Sequence, residues 1–393
     1  MSTAIIITLC VLVLIAYAFD LTSSKTKIPS EILLLLLGWV LNQLTTYFRI
    51  TLPDLSPALP VLGTVGLILI VLEGSLELEL NRSKSTLITK SFFTALIPLV
   101  VMAIGLACIF QYFGHSDFRI NLVNAIPICV ISSAIAIPSV KGLSRPNKEF
   151  VIYESSLSDI IGVLFFNFMA LNHYFGFYTF GEFSLQVILI IVVSFFATLG
   201  LAFLLNRIDH HIKFVPIILL IILIYAVSKI YHLPSLLFIL FFGLFIGNLD
   251  ELKNVSWIQK LKPEELNKEV EKLKDLTIEG AFLIRSIFFI LFGYLINTSE
   301  ILNPDTFVWS ICITAGIFIL RTIQLVIFKL PLSPLLFIAP RGLITILLFL
   351  SIDPLDAIPL VNNSLIIQVV GLTAMVMMIG MVTEKKSAVS SRQ

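Results

Sequence analysis

Between Phe150 and Phe175 an apolar run is interrupted by Glu154-Ser155-Ser156-Leu157-Ser158-Asp159. Asp159 stands ~10 residues into that run, which at ~1.5 Å per helical residue is ~15 Å deep, near the middle of a ~30 Å hydrocarbon layer. A carboxylate at that depth costs several kcal/mol unless it is paired, solvated or neutralised, so it marks a functional site by default. On a helix Glu154 and Ser158 share one line, and Ser155 and Asp159 share the neighbouring one. Four oxygen-bearing side chains therefore converge on one stripe. Oxygen donors suit protons and hard cations, not thiophilic metals. Glu154, Ser155, Ser158 and Asp159 are accordingly the candidate ion- and proton-binding residues. The bland counterpart is a carboxylate neutralised by an arginine for structural reasons, and for Glu154 that is the favoured reading.

The elements that must position this stripe are membrane spans. The chain has 393 residues, 58% hydrophobic and only 13% charged, with strongly positive mean hydropathy. This composition predicts an all-α polytopic membrane protein. Net charge is near zero, which gives no footprint for nucleic acid. Cys10, Cys108, Cys129 and Cys312 lie in separate apolar runs, so neither a disulfide framework nor a thiolate metal site is expected. No cofactor is implied. Met1 to Asp20 lacks a basic segment ahead of its apolar stretch and reads as a first span, not a cleaved signal peptide.

Hydropathy places about 13 transmembrane helices, roughly at 3–20, 29–46, 58–78, 86–111, 121–142, 150–173, 184–206, 214–231, 234–249, 277–297, 305–328, 334–352 and 363–383. Residues 1–383 are expected to form one transmembrane domain, and 384–393 a short tail. Between Asp250 and Leu276, Glu264, Glu265, Lys268, Glu269 and Lys272 pair at helical spacing, predicting a surface helix beside the membrane. Twenty of the 26 lysines and arginines fall in the loops after odd-numbered spans or in the tail. Only Arg49 and Arg119 lie in the opposite loops, which places the N-terminus outside and the C-terminus in the cytoplasm.

Two spans look broken. Span 5 carries Pro127 and Pro138 around Ser132 to Ile137, and span 12 carries Pro340-Arg341-Gly342. Proline removes a backbone donor. In lipid such a break survives only where protein or a wet cavity satisfies the freed groups. The two spans stand seven apart, as an inverted repeat of spans 1–6 and 8–13 requires. Paired interrupted helices at matching positions point to a midplane transport site. Ser133, Ala134, Ile135 and Ala136 are the expected interrupted backbone.

Arg321 lies inside span 11 and stays charged, so it needs an anion, with Glu154 the best candidate. Arg341 either balances carbonyls at a half-helix end or lines the ion path. Arg285 and Glu279 read as snorkelling toward the interface. Glu31, Glu73, Glu77 and Glu79 read as interfacial or helix-end residues. His210-His211 reads as a solvated turn, and Asp353 and Asp356 as an outer-loop turn.

Four stretches together resemble the monovalent cation:proton antiporters, in particular the sodium/proton exchanger branch. They are Lys27-Ile28-Pro29-Ser30-Glu31 with Gly38, Leu72-Glu73-Gly74-Ser75-Leu76-Glu77-Leu78, Glu154-Ser155 with Ser158-Asp159, and Arg341-Gly342 with Arg321 upstream. The third is similar to the family's E-S-x-x-N-D and the fourth to its L-R-G. The resemblance implies exchange of Na⁺, with Li⁺ also accepted, for protons by alternating access, in a homodimer within the lipid bilayer; the compact form with its short tail suggests a bacterial inner membrane. Spans within 1–80 and 184–297 would form the dimerisation part, and spans within 86–173 and 305–383 the transporting core. Asp159 would hold the ion or proton, Ser155 would be a further ligand, and Arg321 would hold Glu154.

The chain also departs from the pattern. Ser158 replaces the family's asparagine. Ala136-Ile137-Pro138 stands where T-D-P is expected, and Ser132-Ser133-Ala134-Ile135 is similar to the S-S-T-x-I of the potassium-efflux branch. Backbone carbonyls near Ser133 to Ala136 are then expected to carry more of the binding. The absence of D-D implies one cation per proton and electroneutral exchange. A K⁺/H⁺ antiporter is the alternative, and a non-transporting receptor or scaffold on a transporter fold is the alternative of another class. An enzyme is not expected, since only one aspartate lies at depth and neither H-E-x-x-H nor G-x-S-x-G occurs.

Overall fold

The computed structural model describes residues 2–26, 28–50, 53–78, 84–114, 117–140, 142–172, 177–207, 214–231, 233, 235–249 and 263–390. Glu79 and His210-His211 lie outside them. The described helices are α1 (Ser2–Thr26), α2 (Ser30–Tyr47), α3 (Ala58–Glu77), α4 (Ser85–Tyr112), α5 (Phe118–Cys129), α6 (Ser133–Ser139), α7 (Arg145–Leu171), α8 (Phe177–Arg207), α9 (Phe214–Ile230), α10 (Ser235–Gly247), α11 (Pro263–Leu295), the short α12 (Thr298–Ile301), α13 (Pro304–Ile327), α14 (Leu343–Leu350) and α15 (Asn363–Ser390). They occupy all thirteen expected spans, with α5 and α6 sharing span 5 and α14 forming the second half of span 12. Among the described residues there is no strand.

The ends of three elements differ from expectation. The charged segment before span 10 is not a separate surface helix but the opening turns of α11, which runs 33 residues without a break. Its Leu266, Val270 and Leu273 are buried at helical spacing, so the same apolar stripe continues through the charged turns. α15 likewise continues to Ser390, through the segment expected as tail. Arg119 is not in a loop: it belongs to the first turn of α5 and is buried.

The chain divides into two compact units, one of residues 1–64, 90–162 and 283–393, the other of residues 65–89 and 163–282. In the second unit α8 packs along α10. Gly243 and Gly247 of α10 lie against Ser75 and Leu76, and Asn248 donates to the Leu78 carbonyl at 2.8 Å.

The first unit holds both broken spans. Within it α2 and the second half of α11 approach backbone to backbone. A Cβ on Gly38 would meet the Ile290 carbonyl and lie 2.7 Å from the Tyr294 amide, and one on Gly293 would strike the Leu35 carbonyl. That closeness lets Asn42 donate to the Tyr294 carbonyl at 2.5 Å. Small residues that admit such approach drive helix association where lipid supplies no hydrophobic gradient. Gly293→Leu is therefore expected to lower stability by about 1–3 kcal/mol through overpacking. Gly105→Ala on α4, where an added Cβ meets nothing within 4 Å, should leave the melting temperature in detergent unchanged or slightly raised.

Candidate ion-binding site

The site grows out of the break in span 5. α5 ends at Cys129, Val130 and Ser132 are extended, and α6 begins at Ser133. The interruption thus falls at residues 130–132, just before the expected Ser133–Ala136. Those four residues form the opening turn of α6. Of the four, Ser133 turns its amide toward Asp159, while Ala136 N donates back to Ser132 O at 3.0 Å. Ala136-Ile137-Pro138 lies inside α6, past the break.

A continuous helix would pair each amide with the carbonyl four residues earlier. Here three of the freed amides find other acceptors. Ile131 N donates to Ser158 Oγ at 3.0 Å. Ser132 N donates to the Pro340 carbonyl in span 12 at 2.9 Å. Ser133 N donates to Asp159 Oδ2 at 3.2 Å, and Ser133 Oγ donates to the same oxygen. The carbonyls are matched too. Arg341 Nε donates to Ile128 O at 2.7 Å and Nη1 to Ala339 O at 2.9 Å. Of the two readings open for Arg341, this geometry places it at half-helix carbonyls, the negative ends of the interrupted segments. Gly342 makes the crossing fit: a Cβ there would lie 2.7 Å from Ile135 Cδ1 and 2.8 Å from Ser132 Oγ.

Proline orphans further carbonyls. Pro98 cannot donate to Thr94 O, and Gln324 Nε2 does so at 2.9 Å. Pro138 cannot donate to Ala134 O, and Arg285 Nη1 reaches it at 3.4 Å.

The four candidate residues of α7 have distinct surroundings. Glu154 receives Arg321 Nη1 at 2.5 Å, Arg321 Nη2 at 2.7 Å and Gln324 Nε2 at 2.9 Å. Both of its oxygens are committed to that brace. Arg321 also caps Leu335 O and Ile338 O, at 3.2 and 3.3 Å. Ser158 is a backbone patch for the break. Ser155 donates to Val151 O at 2.7 Å and keeps its lone pairs. Asp159 is 2% exposed, and its Oδ1 has no hydrogen-bond partner. Ser132 Oγ, in the break itself, is also buried without one. A cavity of about 20 Å³, room for a single water, is lined by Ser158, Cys129, Arg321, Gln324 and Arg341 among others.

Four acidic side chains are buried among the described residues: Glu31, Glu154, Asp159 and Asp356. Arg285 stands 3.6 Å from Glu31, Arg321 2.5 Å from Glu154 and Arg119 2.5 Å from Asp356. Asp159 faces no arginine or lysine. One of these pairs replaces a reading made from sequence and another adds to one. Glu31 and Arg285 are not interfacial but face each other inside the protein. Asp356 stands in the expected turn, its amide donating to Asp353 O at 2.8 Å, and is also the buried partner of Arg119. Gln324 was missed altogether; its signal was its place one turn after Arg321.

The model of the transmembrane sodium/hydrogen exchanger family matches residues 10–385. The chain belongs to that family. The resemblance carried by the four motifs therefore holds along nearly the whole exchanger. The sodium proton antiporter MjNhaP1 from Methanocaldococcus jannaschii, in a structure at pH 8, aligns with TM-score 0.69 and 17% identity over 98% of this chain and 99% of that one. An electron-microscopy map of the same antiporter aligns with TM-score 0.63 and 16% identity over 96% and 95%. At these identities the likeness establishes the polytopic all-α fold. No curated protein matches the exchanger.

The Glu154–Arg321 brace makes a stability prediction. Glu154→Gln or Arg321→Gln leaves a buried charge uncompensated and should cost ~3–5 kcal/mol, read as a lowered melting temperature in detergent. Ser155→Ala should cost ~1 kcal/mol or less.

Proposed function

We propose that the protein exchanges Na⁺ for H⁺ across a membrane, with Asp159 holding either one but never both. The observation that carries this is the contrast among the buried acids: among the described residues Asp159 alone faces no cationic side chain, and its Oδ1 is unpartnered. A desolvated carboxylate left in that condition costs several kcal/mol, which a bound cation or proton removes. Oδ1, Ser155 Oγ and Ser132 Oγ are the oxygens assigned to the ion, with water completing a hard-cation shell.

Exchange follows from competition at one carboxylate, provided the core crosses only when loaded. Spans 4–6 and 11–13 serve as the moving core. The polar ties Glu154–Arg321, Thr94–Gln324, Ile128–Arg341, Ser132–Pro340 and Arg119–Asp356 all join those two sets of spans, which supports their motion as one body. The remaining spans carry the dimerisation surface of a homodimer, in a bacterial inner membrane with the C-terminus cytoplasmic. One carboxylate supports one cation per proton, hence electroneutral exchange.

The test uses purified protein in liposomes with an imposed pH gradient and a pH-sensitive dye. Na⁺ and Li⁺ should dissipate the gradient, and Asp159→Asn should reduce the response to background while remaining folded. Exchange at wild-type rate in that variant would sink the assignment. A response to K⁺ alone would move the protein to potassium exchange, and silence toward all three ions would favour a non-transporting role. Since a proton and Na⁺ compete, raising the pH should lower the apparent KM for Na⁺, by up to about tenfold per unit where Asp159 is mostly protonated.

A further inference from the structure

Two of the three buried arginine–carboxylate pairs are tight, at 2.5 Å. The third is not. Arg285 Nε lies 3.6 Å from Glu31 Oε1, with the two side chains 11% and 1% exposed. Neither Glu31 oxygen has a hydrogen-bond partner. The same guanidinium reaches Ala134 O at 3.4 Å, the carbonyl that Pro138 orphans inside α6. Arg285 is thus suspended between two acceptors, each beyond the usual 2.7–3.2 Å range, so that a shift of ~1 Å toward either would complete one bond and open the other. This pair has no completed hydrogen bond to give up, whereas the tight pairs do. Ala134 follows Ser133, whose amide and hydroxyl both donate to Asp159.

We propose that Arg285 is a positioning residue for the ion site: through Ala134 O it holds the opening turn of α6, and therefore Ser133, against Asp159, while Glu31 competes for it and draws it off when the core shifts. This rests on the exchange reading. The two residues act oppositely. Arg285 sets how well the site is formed, and Glu31 sets how readily it is released.

The experiment measures initial exchange rates against Na⁺ concentration in liposomes, normalised to folded protein, for wild type, Glu31→Gln, Arg285→Gln and Glu31→Gln/Arg285→Gln, with Asp159→Asn as the blank. Glu31→Gln should lower Vmax about tenfold with KM within twofold of wild type, because Arg285 then stays on Ala134. Arg285→Gln should raise the Na⁺ KM about fivefold. The double variant, which leaves no unpaired buried charge if the single one fails to fold, should keep the raised KM and recover most of the Vmax. Arg285→Lys, a point charge without the fork, should give an intermediate KM. Wild-type KM and Vmax in Glu31→Gln and in the double variant would overturn the proposal, as would equal losses of Vmax without a KM change in every variant, which a purely structural pair would give. If the wild type itself matched Asp159→Asn, the exchange reading would fall and this proposal with it.

Discussion

Hydrocarbon offers no hydrogen bonds, so a helix that stops halfway across a membrane must have its released backbone groups satisfied by protein. Nearly everything around Asp159 answers that constraint. The amides of Ile131, Ser132 and Ser133 go to Ser158, Pro340 and Asp159. The carbonyls of Ile128 and Ile338 go to Arg341 and Arg321. The prolines that weaken the helices create further orphans, and Gln324 and Arg285 meet them from other helices. The charged residues of the core are first of all caps for interrupted backbone.

The distribution of charge follows from this. Among the described residues the Arg341 side chain takes only carbonyls and has no acidic partner, while Asp159 takes only donors and has no basic one. Each unpaired charge is supported by neutral dipoles from a break. Dipoles stabilise a charge without cancelling it, so the field of Asp159 is left for an occupant to meet. In Glu154, by contrast, the same type of side chain is closed by a bidentate guanidinium and an amide.

Much of this was legible in the sequence because the signals are local or extreme. Hydropathy marks spans directly, and a carboxylate or guanidinium inside an apolar run stands out whatever the fold. That sufficed for the thirteen spans, the two breaks, the burial of Asp159 and the pairing of Glu154 with Arg321. The failures involve groups whose role is fixed by a partner far along the chain. Arg119 finds Asp356 across 237 positions, and each alone looks like loop chemistry. Arg285 and Glu31 stand near span ends, where a sequence cannot separate snorkelling from burial. The break was misplaced by a few residues because Pro127 and Pro138 bracket it at a distance: one falls inside α5 and the other inside α6. The opening of α11 was misjudged because charge density hid its continuing stripe of Leu266, Val270 and Leu273.

If Asp159 holds the ion as proposed, Ser133 bears on how long it stays. Its amide and hydroxyl both draw on Oδ2 of Asp159, and electron density drawn there is withheld from Oδ1, the edge an occupant would meet. A carrier gains nothing from a grip that outlasts the opposite gradient; like a pore, it needs binding firm enough to select and weak enough to release. On the exchange reading proposed above, Ser133 restrains the carboxylate in that sense, weakening its grip on an occupant without removing it.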